Sequence, residues 1–146
     1  MSGVPPVPVT FRPMTAADLP AAIGLWSTAE GMVLSDGDSV AELTRYLERN
    51  PGMSHVATAD GRLVAAGLAG HDGRRGLLYH VAVDPAWQRQ GIGGQLVRTC
   101  AASLRAAGIK RAFVFVVVAN EHGRRFWEHH GWTPITEAGA MRLVFE

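Results

Sequence analysis

The 146-residue chain carries 14 lysines and arginines against 13 aspartates and glutamates, which gives a formal net charge of +1. Because the basic residues form no extended run and hydrophobic residues make up 47% of the chain, the composition favours a globular protein and argues against general nucleic-acid binding. The N-terminus lacks the apolar core of a signal peptide, and no run of about 18 apolar residues predicts a membrane span. We therefore expect a cytoplasmic protein that binds neither nucleic acid nor membranes.

The chain has one cysteine, Cys100, and six histidines. A lone cysteine cannot form an internal disulfide, and the cysteine and histidines do not have the spacing of a zinc site. Because Cys100 lies among apolar residues at helical spacing, we interpret it as a core residue rather than a nucleophile. No bound metal is expected.

The N-terminal part predicts a flexible segment over residues 1–8, followed by a folded domain over residues 9–146. Helices are indicated by apolar residues at helical spacing, and the turn Asp60-Gly61 between two apolar runs indicates a hairpin. In chain order, the sequence predicts a strand at 9–12, a helix that follows an N-cap signature at Thr15 and Asp18 and runs to about Glu30, a helix over 39–50, and antiparallel strands at 55–58, 63–68 and 77–83.

The C-terminal part predicts two further helices, from Gly91 to Gly108 and from Asn120 to Gly131. Between them, residues 112–118 form an almost unbroken apolar run, which is typical of a strand covered on both faces. Residues 132–136 and 141–145 suggest a closing hairpin. The predicted fold is α/β (α+β), with a mixed central sheet of about seven strands flanked by four helices.

The most informative segment leads from the strand at 81–83 into the helix that starts at Gly91. The first turn of this helix is nearly bare of side chains, because Gly93 and Gly94 follow. Unpaired backbone N–H groups and the positive end of the helix dipole would make it a seat for phosphate. A Walker loop fits less well because no Gly-Lys-Ser/Thr follows, and a dinucleotide fingerprint expects the first strand of a domain.

Two motifs resemble the GNAT superfamily of N-acetyltransferases. Gln88-x-x-Gly91-x-Gly93 after the strand resembles its CoA-binding signature, and Asn120 followed by an aromatic-rich helix ending at Gly131 resembles its second block. The order of the predicted elements also fits, so the resemblance covers nearly the whole chain. It implies a GNAT-like domain whose sheet is splayed between strands four and five, and which uses acetyl-CoA as acyl donor.

The resemblance also implies which residues bind acetyl-CoA. Backbone groups of the strand would pair with the pantetheine arm, and amides of the following loop would hold the pyrophosphate. The implied cofactor-binding residues are Val81, Ala82, Val83, Gln88, Arg89, Gln90, Gly91, Ile92, Gly93, Gly94, Asn120, Phe126 and Trp127. The Val81 amide is also a candidate oxyanion donor. Asn120 is equally well explained as a helix N-cap.

The general base is left open by the sequence. Many relatives place it two or four residues before Val81, where this chain has Tyr79 and Leu77, and neither is a good base. Tyr79 could order a water, but strict alternation puts it on the face of Val81, so a core role is equally expected. His80 has the right chemistry, because imidazole titrates near neutral pH. Alternation, however, turns His80 to the opposite face.

Glu30, Asp36 and Asp38 are further candidates for the catalytic site. They surround the loop between the first two helices, which in relatives borders the acceptor pocket, and their charge suits a cationic amine. Asp36-Gly37-Asp38 is also typical of turn and capping chemistry.

The clearest departure from the family is Trp127, where many members carry a tyrosine that protonates the leaving thiolate. An indole N–H is not a useful acid, although a thiolate can leave as the anion.

The sequence leaves two functions open. One is transfer of an acetyl group to a primary amine, more readily a small molecule than a protein, by direct attack in a ternary complex. The other is a catalytically decayed acyl-CoA sensor or partner-binding module. The closing hairpin favours a homodimer.

Overall fold

The computed structural model describes residues 7–145 of the chain. Most of the segment predicted to be flexible, residues 1–6 of 1–8, lies outside the described residues. The chain divides into two compact units, Met1–Phe115 and Val116–Glu146. The first contains the sheet and three helices, and the second contains one helix.

The helices and strands follow the predicted order through the first 114 residues. The strands are β1 (Thr10–Pro13), β2 (His55–Ala59), β3 (Arg62–His71), β4 (Gly76–Val83) and β5 (Ala112–Val114), and the helices are α1 (Leu19–Thr28), α2 (Val40–Arg49), α3 (Ile92–Ala106) and α4 (Glu121–His129). Short 3-10 helices occupy Ala16–Asp18, Asp36–Asp38 and Pro85–Trp87. The α/β class, the four helices and the antiparallel pairing of β2 to β4 are confirmed.

The five strands form one sheet in the order β1-β2-β3-β4-β5. Neighbours from β1 to β4 are antiparallel, and β4 pairs with β5 in parallel. The parallel ladder ends at the pair Leu78 and Val114. Residues 79–83 of β4 therefore continue with no β5 partner in the described part of the chain, which agrees with the predicted splay between strands four and five.

Both faces of the sheet are covered by helices. On one face Leu19 and Trp26 of α1 and Leu43 of α2 pack on Ala66 and Ala82. On the other face Ile92 and Leu96 of α3 pack on strand residues that include Val64 and Ala65. Small buried residues along β3 let both helical layers approach the sheet closely.

The predicted strand over 112–118 is wrong beyond residue 114. Phe115, Val117 and Val118 are exposed at 65%, 44% and 85%. The predicted closing hairpin is also wrong, since residues 115–145 contain no strand. Ile135, Met141 and other apolar side chains of that segment are exposed. Their spacing alone predicted strands, but a strand also needs a neighbour to accept its backbone hydrogen bonds, and none of residues 7–145 pairs with them.

Candidate active site

The loop between β4 and α3 presents a row of free backbone amides. Gly91 is the N-cap of α3 and supplies no side-chain cap, and the first helical hydrogen bond runs from the Gln95 amide to the Gly91 carbonyl at 3.1 Å. The amides of residues 89–94 donate to no acceptor among residues 7–145. A helix of 15 residues therefore begins with unpaired N–H groups at the positive end of its dipole, an arrangement that binds anions.

The shape of this loop is set by two residues with left-handed backbones. Arg89 has φ +65° and Gly91 has φ +78°. A left-handed residue next to a right-handed one makes successive amides point into one concavity, the geometry that binds phosphate groups, and Gly91 followed by the helical Ile92 is such a pair. No atom lies within 4 Å of where a Cβ on Gly91 would sit, so the loop is open at that point. Ile92 buries its side chain in the core and can offer only its backbone.

Two side-chain hydrogen bonds stabilise the loop where it leaves β4. Asp84 accepts a hydrogen bond from the Ala86 amide at 2.9 Å, and the Gln88 side-chain amide donates to the Val83 carbonyl at 3.0 Å. The sequence predicted Gln88 as one of the cofactor-binding residues. In the structure its side chain instead bridges loop and strand, and the Arg89 and Gln90 side chains are exposed.

A β-bulge interrupts β4 next to this loop. Leu68 is paired with Tyr79 and Ala66 with Ala82, so two residues of β4, His80 and Val81, lie opposite the single residue Gly67. His80 adopts φ +54°, a conformation that non-glycine residues rarely take. A Cβ on Gly67 would lie 3.1 Å from Val81 Cγ2, so the glycine makes room for the bulge.

Because of the bulge, strict alternation assigned the β4 side chains near His80 to the wrong faces of the sheet. Tyr79 packs with the α1 and α2 core, whereas Val81 and Val83 pack with the α3 core. Tyr79 therefore lies on the opposite face from Val81. His80 was predicted to point away from Tyr79, but its ring lies against Trp26 of α1, with ring centres 5.3 Å apart. The extra residue shifts the period-2 pattern by one, so the alternation argument against His80 was wrong.

His80 is hydrogen-bonded to Asp38. Its Nε2 lies 2.9 Å from Asp38 Oδ1, and the two side chains are exposed at only 15% and 12%. Asp38 is itself fixed by a capping box, because its Oδ2 accepts from the Ser35 amide at 2.8 Å. The sequence had weighed Asp38 as capping chemistry or as a site residue, and the structure shows a carboxylate that caps with one oxygen and holds His80 with the other.

The other predicted catalytic residues are placed differently. Tyr79 is half-buried between Tyr46 and His80, with ring centres 6.3 Å from each, and burial raises its pKa, so its hydroxyl stays protonated near neutral pH. Glu30 and Asp36 are exposed, and their side chains make no hydrogen bond to residues 7–145. The structure thus brings Tyr79, His80 and Asp38 together and leaves Glu30 and Asp36 at the surface.

The predicted cofactor residues of the second unit form a small cluster of their own. Asn120 Oδ1 accepts from the Gly123 amide at 2.9 Å, so Asn120 is the N-cap of α4. Phe126 packs edge-on against Trp127, with ring centres 5.3 Å apart, and Trp127 packs against Trp132 at 4.9 Å. The N-cap interpretation is confirmed, and the CoA contacts of these residues stay a prediction.

The sequence also raised three further points: the role of Cys100, metal binding and membrane helices. Cys100 is fully buried, and burial raises the pKa of its thiol to about 12, which fits a core residue. Residues 7–145 contain no group of three or more His, Cys, Asp or Glu side chains that could hold a metal ion. No helix in the same part of the chain has the length and apolar character needed to cross a membrane.

Sequence reasoning missed the contact between His80 and Asp38, because it assumed an unbroken strand. One signal was present. Gly67 lies in the middle of an apolar run that forms β3, and an isolated glycine in a strand often marks a bulge or a close backbone approach.

Comparison with known proteins gives the family. The model of the acetyltransferase (GNAT) family matches residues 21–132. An acetyltransferase of Pectobacterium atrosepticum is 28% identical over 104 residues, which cover 71% of this chain and 73% of that protein. A Mycobacterium tuberculosis protein whose structure was determined in complex with CoA has a TM-score of 0.71 and 25% identity, covering 90% of this chain and 76% of its own.

A structure of Ard1 from Thermoplasma volcanium has a TM-score of 0.77 at 18% identity, covering 88% of this chain and 84% of its own, and shows the shared fold. The family match spans both the amide-rich loop and the bulged strand. The chain therefore belongs to the acetyltransferase (GNAT) family and is an acetyl-CoA-dependent acyltransferase.

Proposed function

We propose that this acetyltransferase transfers the acetyl group of acetyl-CoA to a primary amine of a small molecule, by direct attack in a ternary complex. The observation that carries the proposal is a strand edge without a strand partner, followed closely along the chain by a row of free amides. Residues 79–83 have no β5 partner among residues 7–145, and the amides of residues 89–94 follow within the same segment of chain.

These two stretches suit the two parts of CoA. An extended, amide-containing pantetheine arm can pair with a free strand edge as an added strand does. A pyrophosphate can sit on the free amides at the start of α3. Val81, Ala82 and Val83 would then serve through their backbones, with the Val81 amide as oxyanion donor. Asn120, Phe126 and Trp127 belong to this proposed site on the family resemblance alone.

Charge on the loop between α1 and α2 supports an amine acceptor. Glu30 and Asp36 are exposed carboxylates, and Asp38 is a third acidic group in the same loop. Negative charge attracts an alkylammonium and raises its local concentration. Because the His80 and Asp38 side chains are exposed at only 15% and 12%, an amine on a slim carbon chain reaches them more readily than one on a bulky surface.

Calorimetry with acetyl-CoA tests the cofactor site. Gly93→Glu would place a carboxylate in the first turn of α3, where it would repel the pyrophosphate, and we expect at least about a hundredfold weaker binding. Gln95→Glu is the matched control, because it adds the same charge in the same helix at an exposed position. Equal binding by a folded Gly93→Glu variant would contradict the proposed phosphate seat.

Thiol release from acetyl-CoA with a panel of amines tests the reaction. An acyltransferase of this kind accelerates CoA release when an alkylamine is added, and mass spectrometry finds the acetylated amine. A wild-type protein that binds acetyl-CoA but acetylates no amine would instead favour the acyl-CoA sensor, for which the replacement of the usual tyrosine by Trp127 is the supporting observation.

We also propose that the protein is a cytoplasmic homodimer. The supporting observation is the exposure of apolar side chains near the C-terminus, with Met141, Leu143 and Phe145 at 100%, 78% and 89%. A second copy could cover such side chains, whereas a monomer leaves them in water. Light scattering after gel filtration gives the mass directly, and a monomer at every concentration would contradict the dimer.

A further inference from the structure

We propose that His80 is the general base of this acetyltransferase and that Asp38 is its positioning residue. The inference rests on the proposed function and goes beyond it, because it assigns the proton transfer to a residue that strand periodicity excludes. It depends on three features of the described structure: the bulge in β4, the hydrogen bond to Asp38, and the free strand edge beside His80.

The bulge turns the His80 side chain toward the sheet face that α1 and α2 cover. In a regular strand, His80 and Tyr79 would point to opposite faces. With φ +54° at His80, both side chains lie on the face covered by α1 and α2. Residues held in such a rare conformation cluster at functional sites, because the surrounding structure has to hold them there. Here Gly67 and the packing on Trp26 do so.

Asp38 decides which imidazole nitrogen is available. A carboxylate oxygen only accepts hydrogen bonds, so the neutral imidazole donates its Nε2–H to Asp38 Oδ1 across 2.9 Å. The other nitrogen, Nδ1, then carries the lone pair. No hydrogen bond to Nδ1 of His80 is made by any of residues 7–145. The ring thus has one anchored nitrogen and one basic nitrogen without a partner.

The anchor itself is rigid. Asp38 Oδ2 accepts from the Ser35 amide at 2.8 Å and from the Ser35 hydroxyl at 3.4 Å, so the carboxylate cannot rotate without breaking its capping box. Trp26 packs against the imidazole ring and is fully buried. The groups that face His80 are therefore Asp38 from the inter-helix loop, Tyr79 from β4 and the uncharged Trp26 from α1.

His80 also sits where the reaction needs a base. It directly precedes Val81, in the part of β4 that has no β5 partner among the described residues. A thioester paired along that edge would bring its carbonyl next to His80. Glu30 and Asp36 are exposed, and neither contacts His80. Tyr79 keeps its proton because burial raises its pKa.

The proton balance of the step is simple. Nδ1 of His80 takes one proton from the alkylammonium, and the freed nitrogen lone pair attacks the thioester carbonyl carbon. As the new C–N bond forms, the C–S bond breaks and its electron pair leaves on sulfur. The second proton of the nitrogen passes through water to the thiolate. The imidazolium, stabilised by Asp38, then returns its proton to solvent, so each turnover releases one proton.

His80→Asn tests the base with little disturbance of the backbone, since asparagine also adopts the left-handed conformation. For the best alkylamine of the panel, we expect kcat/KM to fall by about 10²- to 10³-fold with acetyl-CoA affinity retained, because general base catalysis contributes on that order. The pH profile of kcat/KM should then follow the ionisation of the amine itself, because without a base only the uncharged amine attacks. His71→Asn is the control for loss of a histidine elsewhere on the sheet.

A β,β-difluorinated analogue of the same amine separates catalysis from structure. Two β-fluorine atoms lower the pKa of the amine toward neutral, so much of it is already uncharged at neutral pH and needs no base. The His80→Asn variant should therefore lose less than about tenfold on the analogue. An equal loss on both amines, or a variant within about threefold of wild type on the alkylamine, would overturn the proposal.

Asp38→Asn tests the positioning role. Asparagine has a single acceptor oxygen, so if Oδ1 keeps the Ser35 amide, Nδ2 faces His80 and can only donate to it. Nε2 of His80 would then accept, and the ring proton would lie on Nδ1, which removes the basic lone pair there. We expect a smaller loss of kcat/KM than for His80→Asn, and no further loss in the double variant, because the two residues act as a unit. Glu42→Gln removes the same charge at the exposed start of α2 as a control. Additive losses would contradict the pairing.

A measurement on the wild-type protein does not depend on turnover. Nitrogen-15 NMR of histidine-labelled protein, assigned with His80→Asn, should show neutral His80 protonated at Nε2. A neutral form protonated at Nδ1 would overturn this inference and leave the proposed function standing. A protein with the expected tautomer that acetylates no amine would instead overturn the proposed function, so the two failures are distinguishable.

Discussion

The two halves of β4 have similarly apolar sequences and different backbones. Residues 76–78 pair with β3 on one side and β5 on the other. Residues 79–83 pair with β3 through a bulge, and in the described chain they have no partner on the other side. Leu78 in the first half and Ala82 in the second are both buried. Burial of side chains therefore does not distinguish the two halves.

What distinguishes them is the use of the backbone. Neighbouring strands occupy the polar groups of the first half, which makes it a structural element. One edge of the second half has no strand partner among the described residues, although the Val83 carbonyl accepts from the Gln88 side chain, and the bulge re-aims His80. A sheet that opens at one end in this way stays stable because its paired end carries the fold, while the open end can bind a ligand.

A cavity in the paired half should affect stability and leave binding alone. Leu78→Ala removes a fully buried side chain, and we expect the free energy of unfolding to drop by about 2–5 kcal/mol. Urea unfolding measures the loss, and Leu77→Ala, at a half-buried position next to it, should cost less. Acetyl-CoA affinity of the folded Leu78→Ala protein should match wild type; a large drop would break the division between the two halves.

A change at the bulge should affect both protein stability and acetyl-CoA binding. A Cβ on Gly67 would lie 3.1 Å from Val81 and 3.4 Å from Leu96, so Gly67→Ala should cost about 1–3 kcal/mol and push Val81 out of place. We expect weaker acetyl-CoA binding by calorimetry as well as a lower unfolding free energy. Gly24→Ala is the control, because nothing lies within 4 Å of its Cβ in α1 and alanine is the better helix former.

The sequence predicted those features that depend on local chemistry. The helix that starts after Gly91, the capping of α2 by Ser39 and the cap of α4 by Asn120 each follow from residues a few positions apart, and all are present. The row of free amides at residues 89–94 was predicted in the same way, because glycines at the start of a helix supply no side chain to cap its first N–H groups.

The features that failed depend on partners far along the chain. The bulge at His80 involves Gly67, and the contact between His80 and Asp38 joins residues 42 positions apart. Periodicity within one strand cannot register an extra residue in the pairing. The apolar runs after Val114 predicted strands for a related reason. The sequence pattern shows which side chains are apolar, but backbone pairing with another strand decides whether a strand forms.

The smallest effect is expected at the opposite edge of the sheet, where Arg12 of β1 binds Asp18. The guanidinium lies 2.7 Å from Asp18 Oδ2 and lowers the pKa of that carboxyl below its ordinary value. Since the unfolded chain then binds more protons than the folded one, this contribution to stability is present above the ordinary aspartate pKa of about 3.9 and is lost as pH falls through the lowered folded value.

Unfolding free energies from pH 6 to pH 2.5 should converge for wild type and Asp18→Asn at the acid end. Above pH 5 they should differ by less than about 1 kcal/mol, because the arginine is partly exposed. Acetyl-CoA binding should not change, since β1 lies three strands from β4 in the sheet. A binding defect in Asp18→Asn would show that stability at β1 and ligand binding at the second half of β4 are coupled through the sheet.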